Sequence, residues 1–580
     1  MIASGADALQ VERVDDIPLL LFFIYQMHIP RILDEHYPQH GNWLGELSFG
    51  DVAGLWLAYI LSTGDHRLCH LQAWVTTHRQ MLESSLCREI RPLDLHDDRL
   101  AAMLDQLAGS ELFHQCESAL NRSLLRIYDL PNQQVRLDAT TSKTYAGASA
   151  EGLLQYGYSS DKRPDLAQIK CGLASLDPLG LPLATLVVSG AQADDGLYLP
   201  LVREVRASLG GGGGQTYIGD SKMDALGTRG YIVAGGDFYL SPLSRKQVSA
   251  EELGELVEFA LSGAVELEEV RREAGEGVAG EVVARGYGVP VALKTKVGGA
   301  WVEWQEQRVV VRAESLARRQ EEQLEAKIEL ACERLRRLWE RKQGKKVLSV
   351  AEQEAAARGI VAECGVTGLV GWEVVEQEEV VQVRGYGGNA GRAEVRRRRE
   401  MRVEVSPAAV REAQERLGWR VYGTNQGKWS VSQVVWCYRA QYLVERGFGR
   451  LKGKSLGLAP HYLHSGERVR GLLHLLVLGL RVLSVMEYQA RKSLAAAAPG
   501  EEKITGLYAG QPQKSTKRPT SELMLAALKG VSLVYYEEGG EVKGCLTRLK
   551  PLQERVLEVL QVPLALYTEL APESYKLVFI

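Results

Sequence analysis

Cysteine is scarce in this chain: eight in 580 residues, at Cys69, Cys87, Cys116, Cys171, Cys332, Cys364, Cys437 and Cys545, with no C-x-x-C pair. That argues against a disulfide-stapled scaffold or a zinc ribbon and fits a reducing, cytoplasmic compartment. Long apolar runs are missing too. The longest candidate, residues 471–480, is ten uncharged residues between Arg470 and Arg481, about half of the ~20 that a spanning helix needs. The apolar run 17–24 follows Asp15 and Asp16, the wrong charge for a signal peptide. No membrane partner is expected. Lysine is absent from residues 1–130, where nine Arg face eighteen Asp and Glu. Aspartate is absent after Asp237, although residues 244–430 hold 31 Glu beside 31 Lys and Arg. Carboxylate chemistry beyond 237 must therefore use Glu.

What is present reads as a globular protein, 45% hydrophobic and 24% charged with net charge −4, which excludes a disordered chain. The length suffices for three or four domains. Residues 1–130 carry helical patterning, with Ser48 and Asp97 as expected N-caps. Eight of eleven histidines lie there. His36/His40 and His66/His70 have helical metal-pair spacing, but no third ligand stands out and capping or solvated roles are the default. Residues 131–243 change character: strands at 134–138, 168–176 and 181–188, a helix over Leu197–Leu209, a strand at 216–219, a short helix and a strand at 237–243. The order β-β-β-α-β-α-β predicts an α/β unit.

Residues 244–430 read as a β-rich insertion, with strands at 282–289, 291–297, 301–311 and 373–383. Leu324, Ile328, Ala331, Leu335 and Leu338 repeat at 4-3-4-3 spacing, a heptad seam that predicts a helical arm. The run Arg396–Arg399, flanked by Glu394 and Glu400, fits a phosphate contact or an exposed strand edge equally well. Helical patterning returns over 431–495, and 496–580 forms a C-terminal region.

Asp138 and Asp220 are each expected at the end of a strand. One such Asp is more often a turn cap; two in one α/β unit favour a ligand or metal site. Glu445 falls on the apolar stripe of Val431, Val434, Val435, Tyr438 and Tyr442, seven residues before Lys452. From 438 to 482 there are eight basic residues, Arg439, Arg446, Arg450, Lys452, Lys454, Arg468, Arg470 and Arg481, and two acids, Glu445 and Glu467. A solvated basic face is one reading of that segment. A metal site beside a phosphate track is the other.

This constellation resembles the DDE transposases of bacterial insertion sequences, in the branch with a β-rich insertion and a Y-x2-R-x3-E-x6-K signature. Here the signature reads Tyr438-x2-Gln441-x3-Glu445-x6-Lys452, with Gln441 in place of Arg and Arg439 nearby. Leu137–Thr141, Tyr158–Leu166 and Gly219–Met223 look like the same branch. The resemblance implies an RNase H-like catalytic core interrupted by the insertion and preceded by a helical domain for end-DNA binding or dimerisation. It implies DNA cleavage and strand transfer at element ends, with Asp138, Asp220 and Glu445 holding two Mg2+ or Mn2+ ions. Tyr438, Arg439, Gln441, Arg446, Arg450, Lys452 and Lys454 become DNA contacts, and Trp301 or Trp304 a base-flipping residue on a hairpin route. Partners would be duplex DNA with terminal inverted repeats, target DNA and a second copy of the chain. A structure-specific nuclease on the same core and a catalytically dead DNA-binding derivative stay open as alternatives.

Overall fold

The computed structural model describes residues 10–39, 43–148, 152–158, 163–272, 280–339, 349–383, 392–459, 463–538 and 541–571. The chain divides into two units. The first holds residues 1–241, 293–304 and 437–580; the second holds 242–292 and 305–436.

At the centre of the first unit is a sheet of five strands: β1 (Gln134–Thr144), β2 (Ala167–Leu176), β3 (Leu181–Ser189), β4 (Thr216–Ile218) and β5 (Phe238–Pro242), in spatial order β3-β2-β1-β4-β5. β1 to β3 form an antiparallel meander, and β4 pairs parallel to both β1 and β5. The parallel pairings require crossovers, supplied by α1 (Tyr198–Leu209) and α2 (Leu226–Ala234). β2 is buried along its whole length, which explains its apolar and small residues: both of its faces are covered.

The N-terminal helices and the C-terminal chain pack together in this unit. Helix Phe49–Thr63 begins at Ser48, whose side chain accepts from the Asp51 N–H while Asp51 caps back, as expected. The second cap differs. His96 stands at the N-cap and accepts from the Asp98 N–H, with Asp97 the first helical residue. The long apolar helix over 466–496 is long enough to cross a membrane, but 94% of its apolar window is buried inside the protein. Gly471 on that helix lies against the Leu104 backbone, where an added Cβ would meet the carbonyl oxygen at 2.1 Å. Further along, Arg481 donates to Glu117 at 2.8 Å and to Asn121 at 3.1 Å, and Glu117 also accepts from the Thr185 hydroxyl. This fully buried network ties two helices to β3. The extreme ends meet as well: strand Gln10–Arg13 pairs antiparallel with Ser532–Glu538.

The second unit has strand Trp419–Thr424, the 305–313 part of strand Ala300–Ala313, the 282–292 part of strand Val282–Val297 and strand Glu268–Arg271 side by side. The two strands expected at 282–289 and 291–297 are one. Pro290 is tolerated because Glu268–Arg271 pairs only as far as Gly286, leaving the rest an edge. The heptad seam is real but its partner is internal. Ala331 and Leu335 are buried, with Leu324, Ile328 and Leu338 packed around them, against Val361 of helix Val350–Cys364 and Met401 of a two-stranded ribbon. That ribbon pairs Val370–Val383 with Arg392–Val405. Its register sets Glu379 opposite Arg396, Glu378 opposite Arg397 and Glu376 opposite Arg399. The basic run therefore lies across from acids of the neighbouring strand; its side chains are outside the described residues, as are that of Trp339, His40 and residues 159–162 of the Tyr158–Leu166 segment.

Candidate active site

Asp138 is the fifth residue of an eleven-residue strand, not its last. Its position still faces Asp220. The parallel register of β1 and β4 pairs Gln134 with Thr216, Val135 with Tyr217 and Arg136 with Ile218. Carried two residues further, past the end of β4, it sets Asp138 level with Asp220. The Asp138 carboxyl is pushed up to about 7, first by burial and then by the negative charges of Asp220 and Glu445; the Ala139 N–H and Lys222 oppose the shift. Asp138 thus feels the charge of both other acids. The three are not drawn together: among the described residues, the metal-type ligand atoms that lie within 4.8 Å of one another are those of His96, Asp97 and Asp98, two of them exposed.

Each acid has its own support. The Tyr198 hydroxyl donates to Asp220 Oδ1 at 2.5 Å, and the Lys222 N–H donates to the same oxygen at 2.9 Å. Burial, then the charge of Asp220, holds the Tyr198 proton in place. Lys222 is tethered in turn: its ammonium pairs with Asp194, which also accepts from buried Lys170 at 2.6 Å. Glu445 sits in the first turn of α3 (Tyr442–Lys452) and is exposed. The continuous stripe expected from Val431 to Glu445 is broken. The preceding helix ends at Arg439, residues 440 and 441 form a turn, and α3 starts with a new phase. Tyr442 is correspondingly 52% exposed rather than part of an apolar face.

That junction is pinned to β1. Arg136, 1% exposed, donates to the Cys437 carbonyl at 2.8 Å and pairs with Asp177 at 2.6 Å. Gln441 is buried, and its Nε2 donates to the Leu137 carbonyl at 3.4 Å, next to Asp138. At the other end of α3, Lys452 Nζ donates to Thr140 Oγ1 at 2.5 Å. Both ends of the helix are thereby tied to the strand that carries Asp138. The sequence reading missed Arg136, Asp177, Thr140, Tyr198 and Asp194; only contacts far apart in the chain reveal them.

The expected DNA contacts separate into two groups. Arg439 and Lys454 are exposed, and Tyr438 and Lys452 are half-buried. Arg446 and Arg450 are otherwise engaged. Both pair with Glu487, and Arg450, only 6% exposed, also donates to Glu522 at 2.8 Å. Arg450 and Gln441 are buried and bonded within the protein, and half-buried Arg446 is paired with Glu487.

The two tryptophans differ as strand alternation requires. Trp304 packs against the core, and its Nε1 donates to the Tyr239 hydroxyl at 2.9 Å. Trp301 is 61% exposed, with Lys294 and Lys296 over its ring at 5.5 and 5.2 Å. Of the histidine pairs, His36/His40 cannot be placed because His40 lies outside the described residues. His66 lies ahead of helix Leu68–Thr77 rather than on it, and His70 is engaged by Asp65.

A mixed α/β domain in which the charges of Asp220 and Glu445 act on a strand aspartate, Asp138, is the class that fold and site define. The transposase DDE domain family matches residues 131–481, more than half of the chain. The chain belongs to that family. Membership implies a DNA substrate and divalent metal ions. Compared with curated proteins, the sequence shows no significant match.

Proposed function

We infer that the protein cuts DNA at the ends of an insertion sequence and joins those ends to a target, with Asp138, Asp220 and Glu445 as the catalytic acids of an RNase H-like core. The observation that carries this reading is the register that sets Asp138 level with Asp220 within the segment matched by the transposase DDE domain family; the charges of Asp220 and Glu445 both act on Asp138, a repulsion that a bound cation would offset. The donor set is all carboxylate oxygen, which suits Mg2+ or Mn2+. The sheet order β3-β2-β1-β4-β5 agrees with an RNase H-like arrangement. The second unit, whose strand, helix and ribbon elements lie between β5 and α3, corresponds to the insertion.

When bound, two divalent ions would stabilise the attacking and leaving oxygens of phosphodiester displacement. The chain's own residues prepare that centre. Tyr198 and the Lys222 N–H fix one oxygen of Asp220 and leave the other to face the site. Lys222, held by Asp194, offsets part of the charge on Asp138 and Asp220. Lys452, bonded to Thr140 two residues beyond Asp138, is the cation assigned to a phosphate of the bound end. Arg439, Lys454 and Tyr438 extend the contact surface. Trp301, flanked by two lysines, fits a base drawn out of the stack, the step a hairpin route demands. Terminal inverted repeats, target DNA and a second copy of the chain complete the assembly.

The test is direct. Asp138→Ala, Asp220→Ala and Glu445→Ala each abolish nicking of element-end DNA in Mg2+ while gel-shift affinity stays within a few-fold of the parent. Near-parental nicking by any of the three overturns the assignment.

A further inference from the structure

One cavity of about 910 Å3 in the first unit has no part in the scheme above. Three segments form it: the turn Asp177–Leu179 between β2 and β3, the start of α3 from Ala440 to Leu443, and the C-terminal part of the helix over 466–496 together with residues 497–518.

The cavity adjoins the acid centre. Tyr442 lines it and is 52% exposed. Glu445, also exposed, is three residues further along the same helix, so the two side chains share one face a single turn apart. Whatever enters the cavity at Tyr442 lies next to the catalytic glutamate.

Its basic rim is only partly paired. Arg491, Lys492, Lys517 and Arg518 line it. Of the acids on its wall, Asp177 is paired with Arg136, Glu487 is shared among Arg446, Arg450 and Arg491, and Glu502 pairs with Lys517 at 3.5 Å. Among the described residues no acid pairs with Lys492 or Arg518. Lys492 spends one donor on the Tyr128 carbonyl at 3.2 Å and keeps two. Arg491 is depressed by burial and, despite Glu487, also by the repulsion of Arg446, Arg450 and Arg518. An incoming anion relieves that repulsion.

Its wall is largely apolar. Pro178, Leu179, Leu443 and Leu494 lie between the cations, with Tyr442 and Tyr488 beside them. Backbone phosphates of an intact duplex need only a charged surface. An apolar wall with aromatic edges and a basic rim suits a nucleotide that has left its stack. We propose that this cavity is a second nucleic-acid site, holding an unpaired nucleotide of the DNA strand that continues past the scissile phosphate. The proposal rests on the transposase reading for the identity of the polymer and, through Glu445, for the position of the scissile phosphate.

The test measures binding and needs no cleavage. Full-length protein in Ca2+ is titrated with a fluorescein-labelled ten-nucleotide oligothymidylate and with a blunt duplex of matched charge. Lys492→Ala/Arg518→Ala, two exposed positions, lowers affinity for the single strand at least tenfold. It also reduces the slope of log K against log salt by about 1.4, roughly 0.7 per lost contact. Duplex affinity changes less than twofold. Tyr442→Ala weakens the single strand at least fivefold. Two further arms separate the sources of the strand: an uncut end carrying a single-stranded flank, and a precut end offered unpaired target. As a measure independent of variant folding, iododeoxyuridine in the oligonucleotide crosslinks the parent protein at Tyr442 or Tyr488. Parental single-strand affinity in the double variant, or crosslinks that avoid both tyrosines, overturns the proposal. Loss of nicking in the acid variants with this binding intact would instead leave the cavity standing and bear only on catalysis.

Discussion

Lys452 and Thr140 stand 312 residues apart in the chain and meet at 2.5 Å, two residues beyond Asp138 on the same strand. The bond joins the last residue of α3 to the strand that carries Asp138.

Lys452→Ala should weaken binding to element-end DNA and lower the salt slope by about 0.9, the value of one phosphate contact. Thr140→Val should leave the affinity within a few-fold of the parent but reduce nicking, because the lysine loses its anchor. Fluorescence anisotropy across a salt series, run beside a nicking assay, separates the two. A thermal shift in Lys452→Ala without any change in DNA affinity would reassign the lysine to structure.

Metal should stabilise the fold. Asp138 is raised to about 7 from an ordinary 3.8, so without metal the folded state holds its proton more tightly than the unfolded state. The metal-free protein therefore loses stability as pH rises from about 4 to about 7, and at pH 8 that loss is complete. Mg2+ at ten to a hundred times its Kd restores about 1.4–2.7 kcal/mol. Asp138→Asn should melt no lower than the parent in EDTA at pH 8 and should show a much smaller Mg2+ shift. Equal shifts in the two proteins would exclude Asp138 as a ligand.

The tryptophans should give opposite phenotypes. Trp301→Ala leaves first-strand nicking intact and blocks hairpin formation, and an abasic site at the flipped position restores the hairpin. Trp304→Phe removes the bond to Tyr239 and costs about 1 kcal/mol in denaturant unfolding, with no selective effect on hairpins. Denaturing gels of cleavage products check both.

Acid stability should depend on His474. This buried ring stacks on Phe113 at 3.9 Å and bonds the Leu107 carbonyl, and burial depresses it to about 3. The unfolded chain takes up a proton near 6.5 that the folded chain refuses. Stability is therefore full above about 6.5 and falls as pH drops toward 3, by up to about 1.4 kcal/mol per unit. His474→Asn keeps a donor for Leu107 and should flatten that dependence, as read from urea midpoints between pH 7 and pH 5.

The interior pair of Arg481 and Glu117 should be costly to break and cheap to replace. Arg481→Met leaves Glu117 buried without its partner and should cost about 3–5 kcal/mol. Adding Glu117→Leu should recover a large part of that loss. An additive double variant would show that the two side chains act independently.

What the sequence reveals here is local. The cap at Ser48 needs only Asp51, three residues on. The strands and crossover helices between 134 and 242 announce themselves by patterning over a few residues each. Non-local pairing hides the rest. Arg446 and Arg450 look like surface cations because Glu487 and Glu522 lie tens of residues away. Strand Arg392–Val405 is masked by its arginines until Val370–Val383 supplies glutamates across the ladder. Periodicity places Glu445 on a buried stripe only if one helix runs from Val431 to Lys452; a turn at residues 440–441 shifts the phase, and nothing in the composition of those two residues announces it. The acids themselves were nameable from residue type and spacing. Their supports, Tyr198, Asp194 and Arg136, emerge only when distant segments meet.

The separation of Asp138 from α3 also bears on timing. At roughly 5–20 residues per second of synthesis, the 312 residues between Thr140 and Lys452 take about 15–60 s to emerge. Through that interval β1 can form its meander with β2 and β3, yet the chain holds only two of the three acids. A ribosome that stalls or terminates within the second unit releases a polypeptide with neither Glu445 nor Lys452. Such a chain lacks the third of the three acids proposed for catalysis, so it should show no nicking whatever its DNA affinity.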